Sequence, residues 1–290
     1  RSRGRGGDRV NRTYAARSLL LVPAFAIVGV ALVVPALTML GYSFVRYVPG
    51  AITDGTPTFD NYRRLFGDLF YVRVAAETVQ LGIAVTLLSL LLGFPVALVL
   101  ARTQSRFKGL LTYLVFLPMM VGIVVRAYGW IVILGREGLV NTSLLGIGLI
   151  DAPLRLMYSV HAVTLGLVEV LLPFMVMPIL ASLEKVDRSV EEASRVLGAT
   201  PMQTFLRVTL PLARPGVVSG SLLVFSLAIT AYALPALLGG SKVKMIAALA
   251  YDAMLVGHNW PFGSAIGIFM GLVSWSIVYL YLRSVNRRDA

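Results

Sequence analysis

Residues 76–101 read AETVQLGIAVTLLSLLLGFPVALVLA, with Glu77 as the only ionisable side chain. A helix needs roughly 20 mainly apolar residues to cross the hydrocarbon core of a bilayer, and this stretch supplies them. The rest of the chain offers no polar shell for a soluble fold. Of its 290 residues 57% are hydrophobic and 14% are charged, against about 25% charged in a typical soluble domain. That balance excludes a disordered chain or a coiled coil and argues against a soluble enzyme. Five further runs are apolar enough to span: 18–40, 110–134, 160–182, 216–238 and 264–283. The expectation is an all-α polytopic membrane protein with six transmembrane helices. It divides into a basic tail (1–17), a single transmembrane domain (18–283) and a short tail (284–290). The first run follows a basic stretch and contains Ala24-Phe25-Ala26. That triplet lies mid-run, and the run exceeds the roughly 7–15 apolar residues of a signal peptide, so it reads as a retained helix.

The 26 basic residues outnumber the 14 acidic ones, for a net charge of +12. On a soluble chain this excess suggests nucleic acid. On a membrane chain it marks cytoplasmic loops and contact with anionic lipid, so membrane lipid and no nucleic acid is the expected partner. Segments 1–17, 102–109, 183–215 and the end from Arg283 hold 17 Lys and Arg, whereas 41–75, 135–159 and 239–263 hold 8. The positive-inside bias then places both termini and the loop 183–215 in the cytoplasm. Cys is absent and the only His are His161 and His258, which excludes a thiolate or histidine-rich metal site.

In the opposite loops, Thr58-Phe59-Asp60-Asn61-Tyr62 offers an N-cap and a short amphipathic helix, and Trp260 is placed as an interfacial anchor. Prolines interrupt the spans at 23, 35, 95, 118, 173, 178 and 235. Proline is common in membrane helices, but Pro173 and Pro178 within one span point to an irregular helix facing protein or water.

The loop 183–215 carries dense local signals. Asp187 or Ser189 can cap a helix with Glu191 and Glu192 in its first turn. Gly198 can end that helix in the left-handed conformation. Thr200 can cap a second helix with Pro201 at its first position, and Phe205, Val208 and Thr209 give it a partly apolar face. Pro211 and Pro215 are expected to end it before the fifth span. Two short helices at a tight corner suit docking into a groove of a cytoplasmic protein. They equally suit a solvated connector, and local signals alone leave both open.

Glu192-Ala193-Ser194, Gly198 six residues after the Glu, and Val208-Thr209-Leu210-Pro211 together resemble a known signature. It is the loop of binding-protein-dependent ABC importer permeases: Glu-Ala-Ala, three residues, Gly, nine residues, Ile-x-Leu-Pro. Ser194 and Val208 are the two departures. Val125–Trp130, Gly138–Asn141, Leu172–Ile179, Pro235–Gly240 and Asn259–Gly263 extend the resemblance to the spermidine/putrescine branch of the type I importers. The resemblance implies a type I permease fold in a bacterial inner membrane. It also implies a second, related permease subunit, two ABC ATPase subunits that use ATP and Mg, and an external solute-binding protein. The coupling loop would comprise Glu191, Glu192, Ala193, Ser194, Gly198, Ala199, Thr200, Pro201, Phe205, Leu210 and Pro211. This chain has no Gly-x-x-x-x-Gly-Lys-Ser/Thr motif, so it is expected to bind no cofactor and not to be an enzyme.

Ionisable groups inside spans usually face a cavity, which singles out Arg126 and Glu169 as lining a pathway or pairing with each other. Tyr128, Trp130 and Tyr232 offer aromatic faces for a cation, or ordinary packing, and Pro173 completes the expected pathway set. Polyamine permeases often carry an acid before the Pro-Leu-Gly-Gly stretch of the fifth span. Ile229–Pro235 has none here, which opens the substrate range to opines and amino-acid-like ions. A stand-alone secondary transporter is the alternative reading, and its usual inverted repeats are not evident.

Overall fold

A computed structural model describes residue 23, residues 26–50 and residues 53–286 of the chain. The basic tail 1–17 and the start of the first apolar run lie outside the described residues. The helices are α1 (Ala26–Ser43), α2 (Asp60–Gly67), α3 (Leu69–Arg102), α4 (Lys108–Met120), α5 (Ile123–Leu134), α6 (Leu139–Gly146) and α7 (Val160–Leu183). They continue as α8 (Arg188–Val196), α9 (Pro201–Leu212), α10 (Arg214–Ile229), α11 (Ala233–Gly239), α12 (Ile246–Val256) and α13 (Trp260–Asn286). The fold is all-α. Four helices, α1, α3, α7 and α13, are each long and apolar enough to cross a membrane, and the total reaches 6 if each of two bent pairs makes one crossing.

Two expected spans are interrupted. The run 110–134 is not one helix. It breaks at Val121-Gly122, where α4 and the α5–α6 segment meet at 95°. Val121 is extended, and its carbonyl accepts from Arg126 Nε at 3.1 Å and Nη2 at 2.8 Å. A charged side chain four residues into the next helix thus satisfies the carbonyl that the break exposes, as burial in an apolar setting requires. The run 216–238 also breaks, at 230–232. Pro235, in the first turn of α11, has no N–H for the Ala231 carbonyl, which weakens helical continuity across the break. At the end of α10 the Thr230 hydroxyl donates to the Ser226 carbonyl at 2.8 Å.

The core is the packing of α3, α7 and α10. With lipid outside, such helices gain from close approach at small residues rather than from expelling water. Met175 of α7 is fully buried between Gly93 of α3 and Gly220 of α10. A second cluster, with Leu65, Val74, Phe225, Ile246, Phe262 and Ile266, lies at the end of the bundle away from the α8–α9 loop. There the Thr78 hydroxyl of α3 accepts the N–H of Ile246 at 3.1 Å and donates to the Val74 carbonyl at 2.7 Å. Thr78 is buried, so Thr78→Val keeps the shape and strands a buried donor. It is expected to lower stability by about 1–3 kcal/mol, read as a drop in the melting temperature of the detergent-solubilised chain. An unchanged melting temperature would contradict this.

The short helix expected near Thr58 forms as α2, but Phe59, not Thr58, is its N-cap and no side chain caps it. Thr58 Oγ1 accepts instead from the Asp60 N–H at 3.2 Å. Asn61 anchors α2 by donating to the Ser43 and Val45 carbonyls, each at 3.0 Å.

Candidate functional site

Two regions hold the residues singled out from the sequence. The first is the α8–α9 corner. Asp187 caps α8, accepting from the Ser189 N–H at 2.9 Å. The Ser189 backbone and then its hydroxyl hold the Asp187 carboxyl below the ordinary carboxylate range. A carboxylate lowered on folding stabilises the fold above its unfolded pKa, and that contribution is lost as the pH falls through the folded value. At the other end the Gly198 N–H donates to Arg195 O at 2.9 Å and the Ala199 N–H to Ser194 O at 3.1 Å. This is a Schellman stop, and it needs the left-handed φ of +84° that Gly198 adopts. Thr200 and Gln203 then form a reciprocal capping box with Pro201 in the first turn of α9.

The course after Phe205 departs from expectation. Pro211 does not end the second helix, and Pro215 lies in the first turn of α10. The residues Phe205–Thr209 form a π-turn in which the Leu210 N–H reaches back to the Phe205 carbonyl. The widened turn shifts the register just before Pro211, which has no N–H to contribute. α9 then meets α10 at 66°. Phe205 packs edge-on against Phe94 of α3 with ring centroids 5.4 Å apart, and Ser194 Oγ bonds Thr204 Oγ1 at 2.7 Å. So α8 and α9 are fastened to each other and to the bundle.

At its tip the corner presents apolar side chains outward. Val196 is 88% exposed and Leu197 87% exposed, with Met202 exposed beside them. Glu192, Ala193 and Pro201 are exposed too, while Glu191 is buried. The two neighbouring glutamates therefore differ in kind: Glu192 faces outward and Glu191 faces the bundle. Glu191 Oε1 pairs with Arg102 Nη2 at 2.7 Å and accepts from Thr209 Oγ1 at 3.0 Å. Thr209 was read from the sequence only as part of a helix face, and Arg102 was not singled out. Arg102 counted there only as one of the cations flanking a span.

The second region is a cavity of about 740 Å³ between α3, α4, α5 and α7. Pro95, Pro118, Trp130, Glu169 and Leu172 are among its lining. Arg126 and Glu169 meet beside it, Nη1 to Oε1 at 3.7 Å. Both are partly buried. Arg126 Nη1 and Glu169 Oε2 have no hydrogen-bond partner among the described residues. The structure thus brings Arg126, Trp130 and Glu169 together. It leaves the other three apart: Tyr128 is exposed on α5, Pro173 is buried inside α7, and Tyr232 at the α10–α11 break stacks on Tyr251 at 4.3 Å between centroids. His161 is exposed at the start of α7, and His258 sits in a turn with φ of +50°. No three His, Asp or Glu side chains converge to hold a metal among the described residues.

Residues 89–288 match the family model of the binding-protein-dependent transport system inner membrane component. The chain belongs to this family. The permease is 36% identical over 258 residues to the spermidine/putrescine transport system permease protein PotB of Haemophilus influenzae, an alignment covering 88% of this chain and 90% of the relative. Against PotB of Escherichia coli K12 it is 37% identical over 250 residues, covering 86% and 90%. A chain from the crystal structure of a bacterial alginate ABC transporter, in complex with its alginate pentasaccharide-bound periplasmic protein, superposes with a TM-score of 0.76. That match covers 98% of both chains at 23% identity, and so speaks for the fold alone. The permease therefore has the type I ABC importer permease fold and falls in the polyamine branch. It is a multi-pass inner-membrane protein and not an enzyme, ATP hydrolysis belonging to a separate subunit. The relatives do not favour a stand-alone secondary transporter.

Proposed function

We propose that this permease forms part of the translocation pathway of an ATP-driven importer for a small cationic organic solute. A polyamine comes first, and a related opine or amino-acid-like ion is the wider class. An external binding protein delivers the solute, a second related permease completes the pathway, and two cytoplasmic ATPase subunits use ATP and Mg. Both termini and the α8–α9 loop lie in the cytoplasm. The observation that carries this reading is the outward apolar corner at Gly198, with Val196 and Leu197 almost wholly exposed on a polar loop. A rigid apolar knob outside the membrane is a docking element for a protein groove. Gentle detergent purification from native membranes tests it. Co-purification of an ATPase and a related permease is the expected result, and a chain that comes down and transports alone would overturn it.

The cavity supplies the substrate side of the proposal. Trp130 gives an aromatic face and Glu169 a carboxylate with one buried oxygen unpaired, a combination that favours an organic cation over an anion. Arg126 offsets part of that charge, so this point of the pathway suits one ammonium group of a polyamine at a time. Glu169→Gln is expected to lower uptake of a cationic solute about ten-fold more than uptake of an uncharged analogue. Competition assays in whole cells read the difference, and equal losses for both would assign Glu169 to packing.

A further inference from the structure

Arg102 is the last residue of α3, and the end of α7, the turn after it and α8 converge on it. Its Nη1 donates to the carbonyls of Leu183, at the end of α7, and Val186, in the turn that follows, at 3.5 and 3.2 Å. Its Nη2 donates to Glu191 Oε1 at 2.7 Å in the first turn of α8. The same carboxylate oxygen accepts from Thr209 in the π-turn of α9. In return, Arg188 Nη2 of α8 donates to the Arg102 backbone carbonyl at 2.9 Å. The side chains of Arg102 and Glu191 are only 16% and 11% exposed. The pair is therefore not one of the surface ion pairs that contribute little, such as Lys108–Glu184 nearby. A planar guanidinium can hold two carbonyls and a carboxylate at once, whereas an ammonium cannot reproduce that fork.

α3 is 34 residues long and carries Thr78, which fixes α12, toward its far end. A displacement of the corner therefore reaches α3 and α7 through this buried junction, beside the Phe205–Phe94 contact. We infer that Arg102 and Glu191 are positioning residues that make the α8–α9 loop and the ends of α3 and α7 move as one body, so that losing the pair disconnects ATP hydrolysis from transport. This rests on the coupling role proposed above for the loop.

Two measurements test it. The first needs no partner. The chain has no native cysteine, so spin labels can be placed singly at Val196→Cys on the corner and Leu87→Cys on α3, both exposed. The distance distribution between them is expected to be narrow in the parent and about two-fold broader in Arg102→Gln and Glu191→Gln, with Arg102→Lys between. An equally narrow distribution in the Gln variants overturns the inference. The second uses the assembled importer in proteoliposomes. ATP hydrolysis per complex is expected to stay within about two-fold of the parent while solute moved per ATP falls about ten-fold. Transport and hydrolysis falling in equal proportion, or neither falling, overturns it. A parent chain that assembles with no ATPase would refute the proposed function instead, and the label distances would still judge the junction.

Discussion

Val196→Asp combined with Leu197→Asp is expected to abolish solute uptake, by about two orders of magnitude or more, with the chain still in the membrane at its parental level. Both side chains lie at the corner with almost all of their surface exposed. Nothing inside the chain is lost when they change. Against a partner groove the account differs. Burying each apolar side chain is worth about 1.5–3 kcal/mol. Placing an unpaired carboxylate in the same groove costs several more, and every 1.4 kcal/mol is about ten-fold in affinity. The variant should therefore fail to retain the ATPase on purification, and uptake of labelled solute should fall to background. Full uptake with full ATPase retention would show that the corner is a solvated connector.

Gly216→Val is expected to have the second largest effect, this time on the fold itself. Gly216 begins α10 where it crosses α7. A Cβ there would meet the Pro178 carbonyl oxygen, and would lie 2.7 Å from Ser182 Cβ and 2.8 Å from Ile179 Cα. Two of those three atoms are backbone, so no rotamer change relieves the overlap. The helices must move apart, and they carry the buried core around Met175. Overpacking of this kind costs about 3 kcal/mol or more, enough to deplete the folded chain from the membrane. Quantitative blotting of membrane fractions and a thermal scan of whatever remains would measure it. A parental melting temperature would contradict the close crossing.

The corner was legible in the sequence because its determinants are local. Asp187, Gly198, Thr200 and Pro201 each act on a backbone group within three residues, so spacing alone fixes the outcome. The spans were legible as apolar mass but not as shapes. Gly122 and Pro235 look like many other membrane glycines and prolines. Only the geometry shows that Arg126 takes the Val121 carbonyl, or that Pro235 leaves the Ala231 carbonyl without its helical donor. The pathway residues were harder still. Arg126 and Glu169 stood out by charge, and the structure places them together. Tyr128 and Tyr232 stood out by type, which says nothing of the face on which a side chain emerges. Arg102 was hidden because its partners lie more than 80 residues away along the chain.

The Gly198 corner is held by an Asx cap before α8, a Schellman stop after it, a reciprocal capping box and a proline in the first turn of α9. Each of these removes conformations the segment would otherwise sample. A loop that had to become ordered on contact would spend about 1–2 kcal/mol per residue in backbone entropy before any gain from the interface. This one meets its groove already shaped, so the free energy of association goes into holding on. The same stiffness means that a push on the corner is delivered to the bundle rather than dissipated as bending. A segment that is pre-organised in this way behaves as a lever arm, and inserting a flexible glycine pair beside Gly198 would turn it into a tether.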